Sequence, residues 1–328
     1  MNKAKLKVVI ACSVLTLFFV LSTLSRRQES LKAYSKRYLR IIKNIHKRQE
    51  TRKNLVSAVC NESLARNDSL ENNIQTLQSH FDHFIVDDIH KLIYCFVPKV
   101  ASTNWKRVLL SINADHLKAS NPLSIKGSKS QARNIFQTLD QFNDTTEIIR
   151  RLNSYTKFVF VRNPFERLLS AFRNKFESVY NDYFRLRFGR KIIKMYRVNS
   201  TKQSLETGND VTFNEFLSYI ADLDVYDFKS SFNEHWRPIS DLCFPCFIEF
   251  DIIGKLETLE EDAFFVMWKA NLFNSIRFPH RKETYSSVPT AYLLNKYYKF
   301  VPLDLMNKLL KLYEQDLKLF NYGIEIDK

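Results

Sequence analysis

Two loops in this chain carry residues whose types and spacing could hold an anion. The first is Pro98-Lys99-Val100-Ala101-Ser102-Thr103-Asn104. It follows Leu92 to Val97, an apolar, β-branched and aromatic run that reads as a buried strand. Pro98 stops that strand, because proline cannot donate to a sheet ladder. Thr103 or Asn104 can cap a helix running through Trp105, Val108 and Leu109. A strand, a small-residue loop with a lysine and a helix N-terminus gather free backbone N–H groups and a cation around phosphate or sulfate. The loop is not a Walker A sequence, since GxxxxGK[ST] is absent and the lysine precedes the small residues. An ordinary strand–helix turn with a solvated lysine fits the same residues.

The second loop starts at Arg162, at the end of a strand predicted over Lys157 to Val161. Asn163-Pro164 is a turn signal with proline placed for the first helical turn. Phe165 to Glu177 then reads as a helix with Phe165, Leu168, Leu169, Phe172 and Phe176 on one face. An arginine at a strand's carboxyl end points into the crevice where open α/β sheets bind ligands, and its fork matches phosphate. Ser170 adds a hydroxyl from the helix. A surface arginine and a helix-packing serine are the other reading.

The elements that must position these loops alternate along the chain. Ile135 to Asn153 has helical character and leads into the Lys157 strand. Phe250 to Gly254 is a third strand, followed by a helix from Leu259 to Asn271 with a capping box of Thr258 and Glu261. Pro302 to Phe320 is an amphipathic helix with Leu305, Leu309, Leu312 or Tyr313, and Leu317 inward. Alternation of this kind predicts an α/β domain: a three-layer parallel sheet flanked by helices. Asn113 to Arg133 and Phe188 to Asp210 are loops expected near a second substrate.

With 328 residues, 45% apolar and 14% aromatic, the chain can bury one large α/β domain plus an appended segment. Five glycines argue against glycine-rich nucleotide loops. A net charge of +15 predicts a polyanionic partner: nucleic acid, anionic lipid or acidic polysaccharide. Val8 to Leu24 is 17 uncharged residues between basic flanks, which predicts a retained, short transmembrane signal anchor suited to a thinner, early-secretory membrane. Residues 1–7 are then a cytoplasmic tail, 25–80 a stem and linker, and 81–328 the folded domain. Leu31, Tyr34, Tyr38, Ile41 and Ile45 follow a 3-4 spacing, giving a helical stalk or a seam for a homodimer. The basic downstream flank argues for a cytoplasmic body. Four N-x-S/T sequons, at Asn61, Asn67, Asn143 and Asn199, argue for a lumenal one, which is the reading taken; they also make the chain a glycoprotein. In an oxidising lumen Cys60, Cys95, Cys243 and Cys246 make two disulfides in one of three pairings. The CFPC spacing of Cys243 to Cys246 could instead suggest zinc, but no second CxxC or HxxxH completes four ligands, so no metal is expected.

The two loops also match motifs. PKVASTNWKR resembles the 5′-phosphosulfate loop, and RNPFERLLSAFRNKF the 3′-phosphate motif, of Golgi carbohydrate sulfotransferases. The most similar group is the HNK-1, chondroitin 4-O- and dermatan 4-O-sulfotransferases. HWRPISDLCFPC, FDIIGKLETLEEDA and YEQDLKLFNY extend the resemblance over Tyr94 to Tyr322. Ser102 and Asn163 stand where cysteine and aspartate are usual; neither change removes a backbone donor. The resemblance implies a P-loop-like sulfotransferase fold, a Golgi membrane location and the donor 3′-phosphoadenosine 5′-phosphosulfate (PAPS). It implies that Pro98, Lys99, Val100, Ala101, Ser102, Thr103 and Asn104 cradle the 5′-phosphosulfate, with Lys99 on the leaving phosphate. It further implies that Arg162 and Ser170 hold the 3′-phosphate, within a lobe of Arg162, Asn163, Pro164, Phe165, Glu166, Arg167, Leu168, Leu169 and Ser170.

Sulfuryl transfer to a sugar hydroxyl needs a group to accept the hydroxyl proton. His235, beside Trp236, is the candidate; a structural hydrogen-bonding histidine is the other reading. Glu166 and Glu257 are further candidates. Lys106, Arg107, Arg173, Lys175 and the run Arg185 to Lys194 would form a groove for an acidic glycan or glycosaminoglycan, or simply a solvated basic face. A nucleotide-dependent kinase would need Walker glycines and a magnesium carboxylate. An inactive, membrane-anchored glycan-binding protein would lack one of Lys99, Arg162 or Ser170. A nucleic-acid binder conflicts with the anchor and the sequons.

Overall fold

The structure is a computed structural model and describes residues 38–62, 70–113, 121–125, 136–177, 182–223, 232–273, 275–280 and 290–323. The predicted tail and anchor, most of the Asn113 to Arg133 loop and the sequon at Asn67 lie outside the described residues. No described helix is long and apolar enough to cross a membrane. The chain divides into two compact units, Met1–Arg48 and Gln49–Lys328. The division falls inside helix α1, residues 38–62.

In the second unit, α2 (Leu70–Leu77) leads to β1 (Phe84–Asp87) and β2 (Leu92–Cys95). Then come α3 (Ser102–Asn113), α4 (Thr145–Ser154), β3 (Thr156–Val161) and α5 (Pro164–Phe172). The helices α6 (Arg190–Tyr196), α7 (Lys202–Thr207), α8 (Phe213–Ala221) and α9 (Ile239–Cys243) precede β4 (Ile252–Lys255) and α10 (Leu259–Lys269). The chain closes with α11 (Thr290–Tyr298), α12 (Leu303–Leu312) and α13 (Glu314–Leu319). The sheet order is β1-β2-β3-β4. β2, β3 and β4 are mutually parallel, as the strand–helix alternation predicts. β1 corrects the expectation of an all-parallel sheet: it is an antiparallel edge strand, paired Phe84 with Cys95 and Asp87 with Leu92. Four residues joined to β2 by a tight turn need no crossover helix, so antiparallel pairing is the short connection's natural outcome.

Register sorts the sheet into two faces. Tyr94 pairs with Phe158, and these rings stack at 4.7 Å with Trp105 of α3 4.8 Å from Phe158. Trp105 also meets Phe160 and Phe278, so α3 seals this face with aromatic rings. Gly254 stands opposite Phe160; a Cβ there would lie 2.3 Å from the Phe160 ring, so only glycine lets that ring cross β4. On the other face Phe84 stacks on Phe250 and Cys95 is bonded to Cys243 of α9. A separate helical core gathers Phe165, Leu168, Leu169 and Phe172 of α5 with Phe216 and Ile220 of α8, Trp236 and Leu309 of α12.

Several elements differ from their predicted bounds for local reasons. Of the described part of Ile135 to Asn153 only α4 is α-helical, with a short 3-10 turn at Leu139–Gln141; Asp144 caps α4 by accepting from Thr146 N, and Thr138 bridges to Ile85 of β1. The predicted helix after Arg162 ends as α5 and continues as a π-helical turn, Arg173–Glu177. The Thr258 capping box does not form: the Thr258 hydroxyl donates to Asp262 (2.5 Å) and accepts from Arg52 (2.9 Å). The closing helix breaks at Tyr313, whose hydroxyl donates to the Trp236 carbonyl.

Residues 49–62, expected in the stem, are tied into the second unit. Gln49 donates to Asp262 (3.0 Å) and accepts from Ile253 N (2.8 Å); Arg52 pairs with the fully buried Asp262 and donates to Ile253 O. Cys60 is bonded to Cys246, which together with Cys95–Cys243 selects one of the three pairings. The CFPC pair is thus not bonded to itself.

Candidate active site

Because β2 and β3 are adjacent and parallel, their carboxyl ends release the lysine loop and the arginine loop side by side. Lys99 and Ala101 both have left-handed backbones, φ 73° and 57°, in a loop without glycine. Each costs about 1–2 kcal/mol for a residue with a Cβ. Such strain persists where surrounding contacts enforce it and function uses it. Here the Ala101 carbonyl accepts from Asn104 N and Trp105 N, opening α3. Val100 is wholly buried, Asn104 is buried and accepts from Arg107, and Ser102 and Thr103 lie at the start of the helix. The N–H groups of Val100, Ala101, Ser102 and Thr103 donate to no backbone acceptor among the described residues. Four open donors beside a lysine are what an anion requires.

Arg162 joins the loops. Its Nη1 donates to Lys99 O at 3.4 Å while its Nε pairs with Glu166 at 3.0 Å. Asn163 caps α5 by accepting from Phe165 N, and its amide nitrogen donates to Gly323 O. Phe165, Leu168 and Leu169 face the helical core with Pro164 buried beside them, so they shape the lobe through backbone and packing rather than by side-chain contact. Ser170 is half-buried on α5, and its hydroxyl makes no hydrogen bond among the described residues.

Arg167 has a different role from its neighbours in the motif. Its side chain is 1% exposed, and its guanidinium donates to three backbone carbonyls: Pro98 (3.1 Å), Glu234 (2.7 Å) and Arg237 (2.5 Å). It is a strut between the lysine loop and the His235 turn, with Nε, Nη1 and Nη2 each committed to a backbone carbonyl.

His235 is brought to the same place. Asn233 Oδ1 accepts from its backbone N–H (3.1 Å) and lies 2.7 Å from its Nδ1. An amide oxygen only accepts, so Nδ1 carries the proton and Nε2 presents a lone pair. Burial, then the charge of Lys175, hold the imidazole down to about 2, so it is neutral. Burial, with Lys175 and Arg162 nearby, likewise pushes the Lys99 ammonium down to about 7. The Glu234 carboxylate lies 4.0 Å from His235 Nδ1 and 3.6 Å from His83 Nε2. Sequence reading missed Glu234, and counted Lys175 only as surface charge. Of the other proposed bases, Glu166 is held by Arg162 and Glu257 accepts from Tyr322.

The expected basic groove is largely engaged within the protein. Lys106 is buried with its Nζ 3.7 Å above the Phe96 ring. Arg107 donates to Ile125 O, Arg173 pairs with Glu177, Arg185 with Asp182, and Arg190 donates to Glu206 O. No group of three metal-ligating side chains occurs among the described residues.

The site therefore offers two cationic loops, open amides and a neutral imidazole, tied together by Arg162 and Arg167. Comparison with known proteins agrees with that chemistry. The model of the sulfotransferase family (Sulfotransfer_2) matches residues 82–323. Carbohydrate sulfotransferase 11 of Mus musculus is 40% identical over 242 residues, 74% of this chain and 67% of the relative. Carbohydrate sulfotransferase 14 of Danio rerio is 37% identical over 276 residues, 84% of this chain and 72% of the relative. Carbohydrate sulfotransferase 8 of Homo sapiens is 34% identical over 282 residues, 85% and 64% of the two chains. No solved structure matches the chain. A family match that spans both anion loops and the His235 turn, with relatives this similar over most of their length, makes this chain a member of the sulfotransferase family, among its carbohydrate sulfotransferases.

Proposed function

We propose that this enzyme transfers the sulfuryl group of PAPS to a hydroxyl of a glycan, a chondroitin- or dermatan-type glycosaminoglycan or a related glycoprotein glycan. The observation that carries the donor assignment is the junction of the two loops, Arg162 Nη1 to Lys99 O at 3.4 Å, beside the open amides of Val100 to Thr103. A nucleotide with phosphates at both ends needs two anion sites held at a fixed separation, and adjacent parallel strands supply that. Bound PAPS supplies an activated sulfuryl group on a phosphate leaving group.

The residues divide the work. The amides of Val100 to Thr103 and the Lys99 ammonium hold the 5′ end, where Lys99 offsets the charge that builds on the departing phosphate oxygen. Arg162, already aligned by Glu166, and the Ser170 hydroxyl hold the 3′-phosphate. His235 Nε2 takes the proton of the acceptor hydroxyl as its oxygen forms the new S–O bond. The old S–O bond breaks with its electron pair remaining on the phosphate of 3′,5′-ADP. The low proton affinity of His235 comes first from burial and then from the charges of Lys175, Lys99 and Arg167; Glu234 opposes them, and the donor's negative charge would add to that opposition. Two disulfides and four sequons support a lumenal body behind an anchor at 8–24, in the Golgi membrane.

The test is incubation of the enzyme with PAPS carrying radioactive sulfur and a panel of chondroitin, dermatan, heparan and glucuronyl-terminated glycans. Label entering chondroitin or dermatan is expected. No transfer to any glycan, with no binding of 3′,5′-ADP, would refute the reading.

A further inference from the structure

We propose that Lys175 is a further catalytic residue: its ammonium contacts the sulfuryl oxygens while that group passes from donor phosphate to acceptor hydroxyl. This rests on the PAPS reading above. Lys175 lies in the π-helical turn Arg173–Glu177 that continues α5. In a regular helix it would follow Leu168, Ala171 and Phe172 on the buried stripe, a place for an apolar residue. π-turns recur at functional sites, where one extra residue per turn redirects side chains. Here Phe176 stays buried against Phe172, and Lys175 leaves the core half-buried.

Its Nζ sits 4.3 Å above the ring of Phe184. The same ring meets the His235 imidazole edge-to-face at 5.3 Å. Phe184, itself buried, is therefore the shared floor that sets the lysine beside the proton acceptor. Lys175 donates no hydrogen bond to a protein acceptor among the described residues, so its three N–H groups are available to an incoming group. Its charge reaches both the Lys99 ammonium and the His235 imidazole, while the Glu234 carboxylate acts on Lys175 in turn. Lys99 marks the leaving oxygen and His235 the attacking one. A cation acting on both flanks the line along which the sulfuryl group moves. In a loose in-line transfer, charge lies on the three equatorial oxygens, and a compact ammonium placed in advance stabilises them.

The experiment uses the full chain in detergent with saturating PAPS and an accepted glycan. In Lys175→Ala, kcat falls by about 10²–10³-fold, while the affinity for 3′,5′-ADP, which has no sulfuryl group, changes little. Lys175→Cys alkylated with 2-bromoethylamine restores an ammonium of nearly the same length, and it recovers activity, with treated wild type as control. Cys60, Cys95, Cys243 and Cys246 are held in disulfides and do not compete, and the treated wild type controls for Cys12. Unchanged kcat, a loss confined to the glycan KM, a loss shared equally with 3′,5′-ADP affinity, or no recovery on alkylation would overturn the assignment. Failure of wild type to bind 3′,5′-ADP would instead remove the donor reading itself.

Discussion

At the scale of residues, the site is defined by groups whose ordinary charge states the crevice has altered. Lys99 is held down to about 7, by burial first and then by Lys175 and Arg162. A lysine with a depressed value is charged below about pH 7 and loses charge as pH rises through it. An anion binds the charged form, so 3′,5′-ADP binding is tightest on the acid side and weakens above pH 7, by at most about tenfold per unit for one linked proton. Calorimetry at pH 8 in buffers of different ionisation enthalpy should show proton uptake on binding, and Lys99→Arg should flatten the profile. A pH-independent wild-type affinity from pH 6 to 9 would place Lys99 outside the anion's field. His235 gives the opposite signature: held at about 2 in the enzyme without donor, it contributes no acidic limb above pH 5 to kcat/KM for PAPS, which reports that form. His235→Asn should lower kcat by about 10²–10⁴-fold, the usual range for a lost proton acceptor, and Glu234→Gln by far less. The reverse order would transfer the role to Glu234.

At the scale of elements, the crevice depends on one buried strut. The lysine loop holds two left-handed residues, and a loop under such strain stays in place only if its carbonyls are held. Arg167 holds Pro98 O from α5 and, with the same guanidinium, the carbonyls of Glu234 and Arg237 on either side of His235. Arg167→Met keeps much of the volume and leaves three inward-facing carbonyls without their donor. At about 1–3 kcal/mol for each unsatisfied buried group, a loss of at least about 3 kcal/mol in denaturant unfolding is expected, and a change below 1 kcal/mol would show that the loop holds itself. The sequence presents Arg167 as one more basic residue in a phosphate motif. Its partners lie 67 to 70 residues away, so its role could not be read from spacing. The π-turn that redirects Lys175 was equally hidden, since RNKFE continues a regular helical pattern.

At the scale of the whole molecule, the second of the two compact units begins at Gln49, inside what reads as a stem. A chain from residue 49 should fold with no free thiol. One from residue 81 would lack Cys60, leaving Cys246 titratable, and would strip Gln49 and Arg52 from the buried Asp262. Loss of the disulfide alone costs about 2–5 kcal/mol, so the shorter chain should melt lower or fail to accumulate; equal melting temperatures would contradict this. The sequence alone determined what local chemistry dictates. Apolar runs ended by Pro98 and by Arg162-Asn163-Pro164 specified β2 and β3 and the loops that follow them. Cysteine count specified two disulfides but not their partners. Tertiary structure decided the rest, because each remaining feature is a contact between distant segments. Pairing with β2 made β1 antiparallel, Asp262 drew Thr258 from its cap, and Cys60 joined residues 49–62 to Cys246. Adjacent parallel strands turned two separate anion loops into one site.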